Sequence, residues 1–324
     1  MPLYIATWGD PLNWTRATYR SRTELAMREK EVNCWTTVPL YQGETVIVGL
    51  ASVLFSSLPG DPNRLGAFCP VAKNSFTSRS SRALQDLEGE SGAYLEELAE
   101  GCIKECVPQV RPDLKVVIIP ALGKFRDVLF DVQPEHVRGY MVRKLYPVVK
   151  STKEDTVVLD VTHSLNFVTV MAHDVTNWLT SLTNKDLVVV YAVPTAQNSY
   201  ELVEVGTPPR YKPLSEDLVE LARSAEDVRA EVIEATLKGS LQAVQEACGR
   251  WGGFDDSLPK LELARQEGGT KVVALTGDTA KAEERRAKLD AFVDYLCSKV
   301  RGAGKEGLKG LAEEMSHIAE WKAE

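Results

Sequence analysis

The chain has no apolar run approaching the roughly 18 residues that a membrane-spanning helix needs. Its opening, MPLYIATWGD, has neither a basic stretch nor a cleavable apolar segment, so the expectation is a cytoplasmic protein without membrane attachment. Positive charge is also in deficit. The formal net charge is −8, which argues against a partner such as long nucleic acid, whose binding rests on many Lys and Arg neutralising phosphates. A small anionic ligand stays open. Residues 1–213 hold 22 basic and 24 acidic side chains against 16 and 22 beyond them, so the acidic excess sits in the C-terminal third. Cysteine is sparse: six residues, at positions 34, 69, 102, 106, 248 and 297, scattered through a chain too large to need disulfide staples, so reduced thiols are expected. Cys102 and Cys106 alone are close, with no second pair or histidine at zinc-site spacing, and no metal is expected. No G-x-x-x-x-G-K-[ST], G-x-G-x-x-G or G-x-S-x-G occurs, which removes the usual support for nucleotide-triphosphatase, dinucleotide-dehydrogenase and hydrolase readings.

What is present is a 44% hydrophobic composition, enough for a packed core. Leu3 to Thr7, Thr45 to Leu54, Leu114 to Ile119, Thr156 to Val161 and Leu187 to Val193 are short, β-branched and nearly continuously apolar. That pattern predicts buried strands of a parallel sheet covered on both faces. Helical spacing fills Ala83 to Val107, Glu135 to Val149 and Leu165 to Thr183 between them. The alternation is α/β: a Rossmann-like, mostly parallel sheet flanked by helices.

Ser56 to Arg82, with Lys73, Arg79 and Arg82 interspersed, reads as a long surface loop. Tyr200 to Val205 is a last strand, and the breaker Gly206 to Pro213 divides a domain at 1–205 from a mainly helical C-terminal domain at 214–324. In that second part Ser215 to Cys248 is one amphipathic run, Lys271 to Leu275 a single strand candidate, and Ala280 to Val300 and Glu306 to Lys322 are helical.

Open α/β sheets bind ligands beyond the carboxyl ends of their strands, where helix N-termini offer N–H groups to anions. Three segments suit that position. After the first strand come Thr7, Trp8, Gly9, Asp10, Asn13 and Trp14: glycine for close backbone approach, polar residues to cap or hydrogen-bond, indoles to stack on a base. The alternative there is a turn with two core-packing tryptophans. After the strand at 156–161 come Asp160, Thr162, His163, Ser164 and Asn166, with Thr162 or Ser164 as the natural N-cap of the next helix and His163 at the rim. The alternative is plain helix capping with a surface histidine. After Ile119 come Gly123 and Lys124, with the lysine as a point charge for phosphate. His136, His173 and His317 have no evident chemical partners, and Asp255 and Asp256 sit in a glycine-rich turn.

Together IATWGDPLNW (5–14) and VLDVTHSLN (158–166) resemble the two signature loops of the CRISPR-associated Rossmann-fold (CARF) family, over roughly residues 1–205. Asp160, Thr162, His163 and Asn166 match the family's Asp-x-Thr/Ser-His-Gly-x-Asn/Arg/Lys, and Ser164 stands where glycine is usual. The resemblance implies a homodimer that cradles a cyclic oligoadenylate, most often the tetra-adenylate, and no separate cofactor. Many relatives carry a HEPN ribonuclease marked by Arg four to six residues before His; no histidine here has that spacing. The resemblance therefore implies a ring nuclease, using a ribose 2′-OH on its own phosphate with His163, Ser164 and Lys124 as the groups that carry it. The alternatives are a non-cleaving sensor that signals through its C-terminal helices, or a transcriptional regulator.

Overall fold

The computed structural model describes residues 1–11, 14–25, 31–55, 86–108, 113–210, 219–220, 227–238, 240–255, 257, 259–275 and 280–302. Asn13, the segment Ser56 to Arg82, most of Tyr211 to Ala225, Asp256 and the stretch from Glu306 to Lys322 with His317 lie outside the described residues.

In chain order the elements are β1 (Leu3–Trp8), β2 (Ala17–Ser21), β3 (Glu31–Cys34), β4 (Thr45–Leu50), α1 (Leu87–Cys106), β5 (Leu114–Ile119), β6 (Gly123–Phe125), β7 (Val128–Asp131), α2 (Pro134–Ser151), β8 (Thr156–His163), α3 (Asn166–Leu182), β9 (Asp186–Ala196), β10 (Ser199–Gly206), α4 (Val228–Leu237), α5 (Leu241–Gly249), β11 (Leu261–Glu267), β12 (Thr270–Leu275) and α6 (Ala280–Gly302). Short 3-10 turns at Val38–Leu40 and Ala51–Phe55 flank β4.

The main sheet has the order β3-β2-β10-β9-β8-β1-β4-β5. Its middle, β9-β8-β1-β4-β5, is wholly parallel. β1 and β4 are buried at every position, as strands with helices on both faces must be. β10 runs antiparallel to β9 and carries β2 and β3 at the edge. The first strand is central, with β4 on one side and β8 on the other. The chain thus winds outward in both directions from β1, and the switch point lies between β1 and β8, where such sheets open a crevice at their carboxyl ends.

The helices follow from sequence chemistry. Asp86 caps α1 by accepting the Gly89 N–H at 2.9 Å. Pro134 opens α2, and His136 Nδ1 accepts the Gln133 N–H at 3.3 Å, a local capping role. The last turns of α3, Val175 to Leu182, are buried on all sides, the mark of a helix inside the protein rather than on it.

A second sheet, β11-β12-β7-β6, pairs β12 in parallel with β7, so a C-terminal hairpin completes a sheet begun before α2. Residue 271 onward was expected as a lone strand; the partner β11 is almost entirely exposed and has no apolar pattern to announce it. Among the described residues the expected single run from Ser215 to Cys248 is broken near Lys238 and Ser240, between α4 and α5. α6 packs against α2, and one continuous apolar cluster includes Val142 and Leu145 together with Phe292 and Leu296.

The expectation of reduced thiols is overturned. Cys34 bonds Cys106, Cys248 bonds Cys297 and Cys102 is disulfide-bonded as well, so no described cysteine is free. The fold brings partners 72 and 49 residues apart to Cα separations of 5.3 and 5.1 Å, inside the range a bridge spans. No local spacing reveals that.

Candidate functional site

β1 and β8 end side by side, with Trp8 opposite His163 after a register shift. The loop leaving β1 must reach β2, which lies beyond β9 and β10. At the carboxyl ends of β8 and β9, against the described part of that loop, lies a cavity of about 320 Å³. The lining comes from Trp14 and Thr15 of the loop, Tyr19 of β2, Thr162 and His163 of β8, Tyr191 and Ala192 of β9 and Tyr200 of β10.

The walls are aromatic. Trp14 lies 4.6 Å from the His163 ring, Tyr19 meets the same ring edge-on at 5.6 Å, and Tyr19 stacks on Tyr200 at 5.5 Å. That stack is a consequence of register, since Tyr19 and Tyr200 are direct partners across β2 and β10. Among the described residues no Lys or Arg lines the cavity, and the nearby Arg20 and Arg22 pair with Glu31 and Glu201. His163 is not a cation either. Burial outweighs the attraction of Asp160 and pulls its pKa down to about 4, and its Nε2 is buried without a hydrogen-bond partner. The described walls of the cavity are therefore uncharged and largely aromatic, suited to a planar ring.

Asp160 organises this wall from behind. At 2% exposure its carboxylate accepts the hydroxyls of Thr37 and Tyr41 and, at 2.8 Å, the Thr162 N–H. Thr162 Oγ1 in turn accepts the Ala192 N–H at 3.0 Å, tying β8 to β9 at the cavity. Three donors replace the water that a buried carboxylate has lost.

Of the expected site residues, the structure places Trp14, Thr162 and His163 in the cavity lining. Trp8 is 1% exposed and meets Trp14 edge-on at 4.8 Å, forming the floor beneath it with no surface of its own to offer. Thr7 is buried and donates to the Asp160 carbonyl at 3.1 Å. Gly9 packs against β8: its N–H donates to the His163 carbonyl at 2.7 Å, and a Cβ there would stand 3.3 Å from that oxygen. Asp10 is half-buried at the start of the loop. The N-cap of α3 is Leu165, with no side-chain cap, and not Thr162 or Ser164. Thr162 is still in the strand, and Ser164 Oγ turns to the Leu165 carbonyl at 3.2 Å. Asn166 is exposed as the first residue of the helix. This N-terminus has no acidic residue in its first turn and stands beside the cavity's His163 end. Gly123 and Lys124 are exposed on β6 of the second sheet, after β5, which is three strands from β8; they do not line the cavity.

Sequence reasoning missed Tyr19, Tyr191 and Tyr200, and missed Thr37 and Tyr41 behind Asp160. Only the alternating burial of Ala17–Ser21 was a readable signal; the rest arises from pairing between distant segments. Among the described residues no group of three or more His, Cys, Asp and Glu is placed to hold a metal ion, and no helix is long and apolar enough to cross a membrane.

A doubly wound parallel sheet with a ligand-sized cavity at the carboxyl ends of β8 and β9, next to its switch point, defines a Rossmann-like ligand-binding domain. The model of the family described as CRISPR system endoribonuclease Csx1, CARF domain, matches residues 3–194, which spans β1 to β9, and the chain belongs to that family. It is thus a CRISPR-associated protein whose CARF domain has a ligand-sensing role. No curated protein matches the chain.

Proposed function

We propose that this domain binds a cyclic oligoadenylate, with cyclic tetra-adenylate as the first candidate, and acts as a sensor. The aromatic wall that Trp14, His163 and Tyr19 form along the cavity carries this reading. An adenine enters the cavity and stacks on Trp14, which is the kind of contact that holds single-stranded bases. The phosphate beside it meets the uncapped N-terminus of α3 and the hydroxyl of Ser164. A ring with several phosphates needs this arrangement more than once, so the complete site is built by a homodimer with two such loops facing one ligand.

A second reading, cleavage of the ring, is favoured by one observation: α3 offers N–H groups without a competing side-chain cap. Attack by a ribose 2′-OH on its adjacent phosphate needs in-line placement and stabilised oxyanion charge, which such N–H groups supply. His163 would act there as a neutral hydrogen-bonding group. Lys124 has no part in it within one chain.

The test is incubation of the purified protein with radiolabelled cyclic tetra-adenylate in EDTA, followed by native-gel retention and product separation. Retention of intact ligand is the expected result. Linear di-adenylate ending in a 2′,3′-cyclic phosphate would establish the cleavage reading instead, and neither retention nor product would refute the ligand.

A further inference from the structure

We propose that the Cys34–Cys106 disulfide makes this ligand site redox-sensitive, a regulation that rests on the cavity being the ligand site as read above. Cys34 ends β3 and Cys106 ends α1. From Cys34 the chain runs directly into Trp35 to Tyr41, a segment buried at every residue. Thr37 and Tyr41 of that segment are the two hydroxyl donors to the Asp160 carboxylate. Asp160 holds the Thr162 N–H, and Thr162 holds Ala192; both are cavity walls.

One covalent bond therefore anchors the start of the segment that fixes the back of the site. The far end is held separately, by Tyr41 stacking on Tyr4 at 4.5 Å. At the near end the backbone restraint is weak, and the burial of Trp35 and Thr36 is what else holds the chain. β3 is a four-residue edge strand paired on one side only, to β2, and short edge elements open first. Without the bridge, Thr37 has less to hold it against Asp160, and the wall at Thr162 loosens.

The bridge is also accessible from one side. Cys34 is fully buried while Cys106 is half-buried, so a reductant meets the Cys106 sulfur. The thiolate of a dithiol reductant attacks Cys106 Sγ, the protein S–S bond breaks, and Cys34 leaves as a thiolate that takes up a proton. The reductant's second thiol then displaces Cys106 and closes the reductant's own disulfide. Two electrons pass from the dithiol to the protein, which ends with two thiols. The Cys248–Cys297 bridge joins α5 to α6 and touches no member of this chain of contacts, so it is an internal control.

The experiment compares oxidised protein, protein reduced with dithiothreitol, and the double variants Cys34→Ser/Cys106→Ser and Cys248→Ser/Cys297→Ser, with thiol state verified by mass. Affinity for cyclic tetra-adenylate and amide hydrogen exchange over residues 157–167 are measured in each. Reduced protein and Cys34→Ser/Cys106→Ser are expected to bind roughly tenfold more weakly and to exchange faster over 157–167, while oxidised Cys248→Ser/Cys297→Ser matches wild type. Wild-type affinity or wild-type exchange in Cys34→Ser/Cys106→Ser overturns the proposal. Should that variant fail to fold, Cys34→Ala/Cys106→Ala decides the matter by the same two readouts, since reducing the wild type also opens the bond that holds Cys102. If no form binds cyclic tetra-adenylate, the ligand assignment fails, and exchange over 157–167 alone then decides whether the bridge controls this wall.

Discussion

His163 and Asp160 share a strand end but do opposite things with charge. The His163 ring is held neutral down to pH about 4, against an ordinary value of 6.5. Between those two pH values the unfolded chain takes up a proton that the folded protein refuses, so this group's contribution to stability is full above pH 6.5 and drains away as pH falls towards 4. His163→Gln, which does not titrate, should flatten that part of the stability profile in urea melts between pH 7.5 and 4.5. Parallel profiles for the two proteins would show that the ring is not buried as described. Asp160 instead keeps a carboxylate inside by hydrogen bonds from Thr37, Tyr41 and Thr162. Asp160→Ala leaves those three donors unsatisfied and should cost about 3 kcal/mol, read as a lower urea midpoint with unchanged slope. In the sequence Asp160 looked like a ligand contact because it sits in a polar strand-to-helix turn. Its donors Thr37 and Tyr41 come from more than a hundred residues away, which no local pattern conveys.

The N-terminus of α3 is where the phosphate assignment can be tested against a purely structural role. Asn166→Glu adds a negative charge at an exposed first-turn position, which interacts favourably with the helix dipole by about 0.3–1 kcal/mol. Thermal stability should hold or rise slightly while affinity for cyclic tetra-adenylate falls; an unchanged affinity would move the phosphate elsewhere. The elements legible in the sequence were those whose signal is local. β5 runs from Leu114 to Ile119 as expected, and α3 and α2 fall within a few residues of their periodic segments. β8 outran its expected end at Val161 because Thr162 and His163 continue the strand, with hydrogen bonds replacing apolar burial. β2, β3, β6, β7 and β11 escaped notice because each is short or exposed and owes its extended form to a partner strand.

Across the whole molecule, α2 and the C-terminal helices are joined by buried charge. Arg143, 3% exposed, pairs with Glu283 at 2.6 Å and Asp290 at 3.5 Å, and Arg229 reaches Asp290 at 2.5 Å. Asp294 accepts from Tyr146 at 2.8 Å and from Lys150 at 2.6 Å. Arg143→Met strands Glu283 in the interior and should destabilise the protein by about 3 kcal/mol or more, since removing one partner of a buried pair leaves an uncompensated charge. Restoration of the urea midpoint by adding Glu283→Gln would confirm the cause. The acidic excess of the C-terminal third was visible in composition, but its use as half of a buried lattice was not, because the matching arginine stands on α2. The central proposal concerns the other end of the fold: the aromatic wall at Trp14, with no cation among its described lining residues, receives the base of a cyclic oligoadenylate. Titration calorimetry with cyclic tetra-adenylate on wild type, Trp14→Ala and Lys124→Ala tests it most directly. The account predicts wild-type binding, a loss of about tenfold or more in Trp14→Ala, as for one stacked base, and no change in Lys124→Ala; wild-type affinity in Trp14→Ala, or no binding at all, would contradict it.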